Sequence, residues 1–193
     1  LSNLIESKGY LALLRAAGIL CQRYGRNSFE FVFAGRIMTN PEDDREVTSI
    51  ATAQGLIDSI IAVQGISGCV SFPGVVSGDA KALLLESSDV LVLPTRYNNE
   101  GQPLAILEAM AFGLPVIATE YRAIPDMVVP GRTGIFIPPD DPPRLANAIA
   151  DLYEDSVTYL KLSRGARQMA HEKFTLKKHL DAMHEILLNV AQR

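Results

Sequence analysis

The sequence predicts an α/β fold: a Rossmann-like, doubly wound parallel sheet of about six strands, with helices on both faces and further helices at the carboxyl end. Three observations predict it. Short runs such as "FEFVFAG" and "DVLVLPT" are apolar almost throughout rather than at alternate positions, as strands covered on both faces are. These runs alternate with stretches whose apolar residues recur every three or four positions, the period of a helix buried along one side. The 193 residues, 48% hydrophobic and 21% charged, suffice for one domain with a real core.

Each element has its own signal. Over residues 9–24, Leu13, Leu14, Ala17, Leu20 and Cys21 fall on one helical face. Residues 29–35 read as a strand ending at Gly35, and the polar "TNPEDDRE" that follows reads as a loop. A helix is expected over 47–64, a strand and turn over 69–74, and a short helix over 79–87. Residues 89–95 form an apolar strand stopped by Pro94. "PLAILEAMAF" is a helix with Pro103 in its first turn and Gly113 just past its end, where each residue type is favoured. Strands over 115–119 and 134–138, then helices over 142–154, 156–171 and 175–191, close the chain. Neither a repeat nor a linker divides it, so residues 1–193 read as one domain. The chain opens at Leu1 without Met and without a strand signal ahead, which predicts a fragment lacking its first strand.

Composition narrows the function. A net charge of -4 carries none of the basic footprint of a nucleic-acid reader. Cys21 and Cys69, far apart in sequence and set among apolar residues, suit buried thiols in a reducing compartment. The longest early apolar run, "GYLALLRAAGIL", is cut by Arg15, and no secretory signal is visible. A cytoplasmic protein is the expectation. His171, His179 and His184 fall in the terminal helices, away from every motif, and the Asp pairs at 43–44 and 140–141 sit where turns are expected, so no metal is expected. From Lys161 to Arg193 there are seven Lys or Arg against three acids, with an apolar stripe of Leu176, Leu180, Met183, Leu187 and Val190. That pattern suits a helix packed on a domain with its basic face in water. The alternative is peripheral attraction to an anionic membrane surface.

In doubly wound sheets ligands gather at the carboxyl ends of the strands, here the loops after Gly35, Phe72 and Leu93. The helix starting at Pro103 follows "EGQ" directly. Its first amides lack intrahelical partners and carry partial positive charge, and a glycine before them allows close approach. Residues Gly101, Gln102, Pro103 and Leu104 therefore form either a diphosphate cradle or an ordinary capped helix start. Glu108 shares a face of this apolar helix with Leu104 and Ala111, and an isolated carboxylate in such a setting needs a partner. Its partner is either a structural donor or the paired hydroxyls of a ribose, which a carboxylate accepts side by side. Glu100, eight residues earlier, is either a solvated loop acid or a ligand contact beyond the phosphates.

The stretch "EGQPLAILEAMAFGLPVIAT" resembles the Glu-x7-Glu segment of retaining glycosyltransferases of the GT-B fold, the group 1 type. Glu100, Gly101, Glu108, Ala109, Gly113 and Pro115 to Thr119 stand in register with it. "SKG" at 7–9 resembles the family's Lys-Gly before its first helix, and "VSFPGVV" its third strand and loop. "GRTGIFIPPDDPPRLANAI" resembles its downstream Gly-x-Thr-Gly segment. The resemblance spans most of the chain.

It implies the C-terminal, donor-binding half of a two-domain enzyme that moves a sugar from a nucleotide-diphospho-sugar to an acceptor hydroxyl with retained configuration. The acceptor, a glycan or lipid-linked sugar, would sit on an N-terminal domain ahead of Leu1, without which the fragment would be inactive. By matching position, Lys8 and the amides of Gly101 to Leu104 would hold the diphosphate. Glu108 would take the ribose, Glu100 the transferred sugar in the catalytic position, and Gly74, Val75 and Val76 would lie against the base. No metal cofactor is implied, because fixed amides and cations take over the leaving charge. Two departures stand out. Ser2, Asn3 and Leu4 replace a Gly-Arg-Leu whose Arg also touches diphosphate, leaving Lys8 alone to carry the charge, or Arg36 after the second strand, which otherwise reads as a surface loop charge. Arg122 to Asp126 replace a Gly-Gly-x-Pro-Glu loop. The missing Arg gives weight to a non-catalytic nucleotide-sugar-binding module. A sugar-nucleotide epimerase fits the acidic segment less well.

Overall fold

A computed structural model describes residues 1–191; Arg193, the last basic residue of the tail, lies outside them. All the described strands are parallel. β1 (Phe31–Ala34) pairs with β2 (Val70–Gly74), while β3 (Leu91–Leu93), β4 (Val116–Ala118) and β5 (Gly134–Phe136) form a second piece in that order. Instead of one sheet of about six strands, the described residues thus hold five strands in two pieces. A cavity of about 700 Å³, lined by residues of both β1 and β3, lies between the two pieces. The chain's first residues reach only its outgoing end. Ser2 N donates to Ala34 O at 3.0 Å, Leu4 N to Arg36 O at 2.8 Å, and Leu4 bridges Ile37 in parallel. Gly35 permits that approach, since a Cβ there would lie 1.7 Å from Ser2 O.

The helices fall close to where periodicity puts them: α1 (Tyr10–Tyr24), α2 (Ile50–Gln64), α3 (Gly78–Glu86), α4 (Leu104–Ala111), α5 (Pro142–Glu154), α6 (Ser156–Lys173) and α7 (Leu176–Ala191). Side chains start several of them. Ser49 Oγ accepts from Thr52 N at 3.0 Å, and Asp141 Oδ1 from Arg144 N at 2.9 Å. Strand β4 displays the layering in three residues. Ile117 joins the core formed by α1, α2 and α5, while Val116 and Ala118 join the core formed by α4 and α6. All three are fully buried, so both faces of the strand are covered, as its continuous apolar run requires.

Cys21 and Cys69, distant in sequence, meet in this first core as free thiols with their sulfurs 2.9 Å apart. Burial, followed by the Cys69 hydrogen bond, pushes the Cys21 thiol up to about 12. Helix α7 is the exception to packing: none of its residues is buried. The expected packing of the stripe from Leu176 to Val190 on this domain is corrected, because all five residues face solvent.

Candidate functional site

The site is built at the carboxyl ends of β3 and of the chain's opening segment. A 3-10 turn, Glu6–Lys8, precedes α1, and Gly9 turns the chain with φ of 84°. That conformation sets Gly9 against the carbonyl of Pro94 at the end of β3, where an added Cβ would lie 2.5 Å from the oxygen. Lys8 is thereby held against the loop after β3. Its Nζ lies 3.4 Å from Glu100 Oε1 and 5.0 Å from the centre of the Tyr97 ring.

Glu100 is buried, at 8% exposure, rather than a solvated loop acid. Thr95 Oγ1 donates to its Oε2 at 3.0 Å, so both carboxylate oxygens have partners. Gly101 and Gln102 are exposed, and nothing lies within 4 Å of a Cβ built on Gly101. Pro103 occupies the N-cap of α4 instead of its first turn and offers no capping side chain. The amides at the start of α4 keep their partial positive charge beside an open surface, with Leu104 69% exposed.

Glu108 departs from expectation. It is not sunk in apolar surroundings: its side chain is 36% exposed, and Lys81 Nζ lies 2.6 Å from its Oε1. The reason is the orientation of α4. Ile106, Ala109 and Met110 face the core, so the opposite stripe of Leu104, Glu108 and Ala111 faces outward despite its greasy letters. Gly74, with φ of 75°, ends β2; Val75 is 66% exposed, and the loop to Val76 leads into α3, which carries Lys81. The structure therefore brings Lys8 to Glu100 and, through α3, links the Gly74–Val76 loop to Glu108. Arg36 is exposed at the end of β1, and no ion pair holds it among the described residues.

Two residues that sequence reasoning passed over, Glu6 and Arg96, and one it read as a turn acid, Asp43, support the site. Glu6 is buried, and its Oε2 accepts the backbone amides of Arg45, Glu46 and Val47 at 2.9, 2.8 and 2.8 Å. Arg96 donates to Glu6 Oε1 at 3.2 Å, to Asp140 Oδ2 at 2.8 Å and to the Asp43 carbonyl at 2.6 Å. It pins together the loops after β1, β3 and β5. Asp43 in turn accepts from Asn98 N at 2.8 Å. Beside them, burial raises Asp44 above the usual carboxylate range. Only the adjacency of "TR" to the strand-ending Pro94 hinted at Thr95 and Arg96. Among the described residues, no group of three or more His, Cys, Asp and Glu is placed to hold a metal ion.

The chain thus sets an uncapped helix start between two carboxylate–lysine pairs at the carboxyl end of a parallel sheet, the place where such sheets gather their ligands. The chain belongs to the Glycosyl transferases group 1 family, which matches over residues 1–155. It is 25% identical over 174 residues to an alpha-D-kanosaminyltransferase of Streptomyces kanamyceticus, a match covering 90% of this chain and 40% of that protein. The fold is that of a GT-B C-terminal domain. The C-terminal domain of a group 1 glycosyl transferase, LpcC from Francisella tularensis, superposes with a TM-score of 0.73 at 20% identity, covering 91% of this chain and 84% of that one. HepE of Anabaena, solved with UDP-glucose, superposes with a TM-score of 0.80 at 20% identity, covering 97% of this chain and 47% of that one. The chain spans less than half the length of the curated relatives it matches. No described helix is long and apolar enough to cross a membrane.

Proposed function

We propose that this chain is the donor-binding half of a retaining glycosyltransferase that transfers a sugar from a nucleotide-diphospho-sugar to an acceptor hydroxyl. The observation that carries the reading is the uncapped start of α4 between the Lys8–Glu100 pair and the outward-facing Glu108. The diphosphate would lie on the amides from Gly101 to Leu104, with the Lys8 ammonium as a counter-charge. As the bond from the anomeric carbon to the diphosphate oxygen breaks, these fixed dipoles and this cation take up the leaving charge without a metal. Glu108 receives the ribose. Glu100 receives the hydroxyls of the transferred sugar, held by Thr95, and Lys8 moves from carboxylate to phosphate. The base lies against Gly74, Val75 and Val76.

The slot between β1 and β3 supports a further part of the reading: a parallel strand leading into Ser2 belongs there, downstream of an acceptor-binding domain for a glycan or lipid-linked sugar. HepE, solved with UDP-glucose, supports a nucleotide-sugar donor of this kind. A non-catalytic nucleotide-sugar-binding module is the second reading, favoured by the double occupation of Glu100.

Calorimetric titration of the chain with UDP-, GDP- and ADP-glucose tests the site. One donor is expected to bind, and Glu108→Ala to abolish its binding. If none binds, or if binding is indifferent to Glu108→Ala, the donor site is wrong. Turnover by a protein carrying both halves, lost in Glu100→Gln, would separate the transferase from the module.

A further inference from the structure

We propose that Lys81 is a positioning residue for nucleotide recognition: it holds Glu108 by one carboxylate oxygen and leaves the other facing the ribose hydroxyls. The inference rests on the reading that Glu108 receives the ribose. Lys81 Nζ lies 2.6 Å from Glu108 Oε1, and Oε2 has no hydrogen-bond partner among the described residues. The two side chains come from different elements, α3 and α4, and are 31% and 36% exposed.

A pair so open to water contributes little to folding, because solvent screens it. Its consequence is geometric. Glu108 stands on an outward stripe whose neighbours, Leu104 and Ala111, offer no side-chain donors, so among the described residues Lys81 alone holds its carboxylate by a side chain. A carboxylate already held loses less freedom when it takes a hydroxyl. Its second oxygen keeps two lone pairs, enough for both hydroxyls of a ribose. Because α3 begins just after the Gly74–Val76 loop, the same short segment that would carry the base contacts also sets the ribose acceptor.

The test uses the chain with whichever of UDP, GDP and ADP binds most tightly, and with its 2′-deoxy form, each titrated calorimetrically. The unaltered chain is expected to prefer the ribonucleotide about tenfold, the worth of a hydrogen bond to a charged group. Glu108→Gln should erase most of that preference. Lys81→Met should cut it about threefold with little change in thermal midpoint, and Lys81→Arg should restore it. Lys81→Gln serves if Lys81→Met folds poorly. Equal weakening of both nucleotides in the Lys81 variants, with the preference intact, would overturn the positioning role and leave Lys81 a mere counter-charge. A preference untouched in Glu108→Gln, or no nucleotide binding at all, would instead overturn the donor-site reading beneath it.

Discussion

Glu6 is the most committed side chain near the site, although nothing in "IESKG" marks it. Three amides and a guanidinium converge on its carboxylate, and the amides come from 39 to 41 positions away. Removing one partner of a buried, multiply bonded charge leaves the others unsatisfied. Glu6→Ala should therefore cost about 3 kcal/mol, read as a lowered midpoint in urea unfolding. It should also loosen Arg96 and the loop carrying Asp43. Sequence reasoning missed Glu6 because its partners are backbone amides, which every residue but proline carries and no letter displays. Glu108 drew attention for the opposite reason: a charged letter among greasy ones. Its candidacy for the site was legible, but its environment was not. The apolar letters around it face two directions, and only packing decides which stripe of α4 is buried.

At the scale of elements, legibility was high. Helix periods, the Ser49 and Asp141 caps and the apolar strand runs each encode their structure locally. The strands came out shorter than the runs, β3 covering 91–93 within an apolar stretch of 89–95, because pairing ends where the neighbouring strand does. The junction of the Glu6–Lys8 turn with α1 is the element on which the site depends most. Gly9 needs its left-handed backbone, and a Cβ added to it would lie 2.5 Å from the Pro94 carbonyl oxygen. Gly9→Ala should cost about 2 kcal/mol or more, from backbone strain and from the clash together. Because the displacement would shift Lys8 away from the loop after β3, nucleotide-sugar affinity should fall too. Thermal unfolding and calorimetric titration of the same variant would check both.

For the whole molecule, the two cores on either face of β4 carry the stability, and α7 adds little to it. Leu180 and Leu187 are 56% and 62% exposed, whereas Leu14 is completely buried. Changing Leu180 and Leu187 to Gln should move folding stability by less than about 0.5 kcal/mol. Leu14→Ala should cost about 2–5 kcal/mol. Chemical unfolding of the two variants side by side would show whether the stripe on α7 belongs to this domain's core. An equal loss in both would mean that α7 folds back onto the domain in solution. The stripe itself was plain in the sequence, but its periodicity is the same whether or not a surface covers it.

The sequence by itself determined the fold class, the order of the elements and the acidic segment around α4. These follow from local periodicity, capping chemistry and residue spacing, all of which act over a few turns of chain. Tertiary structure alone decided that Lys8 meets Glu100, that Lys81 meets Glu108, and that Arg96 ties three loops together through Glu6 and Asp140. Such pairings are made between elements that are remote along the chain, and they depend on which faces of those elements packing turns toward each other.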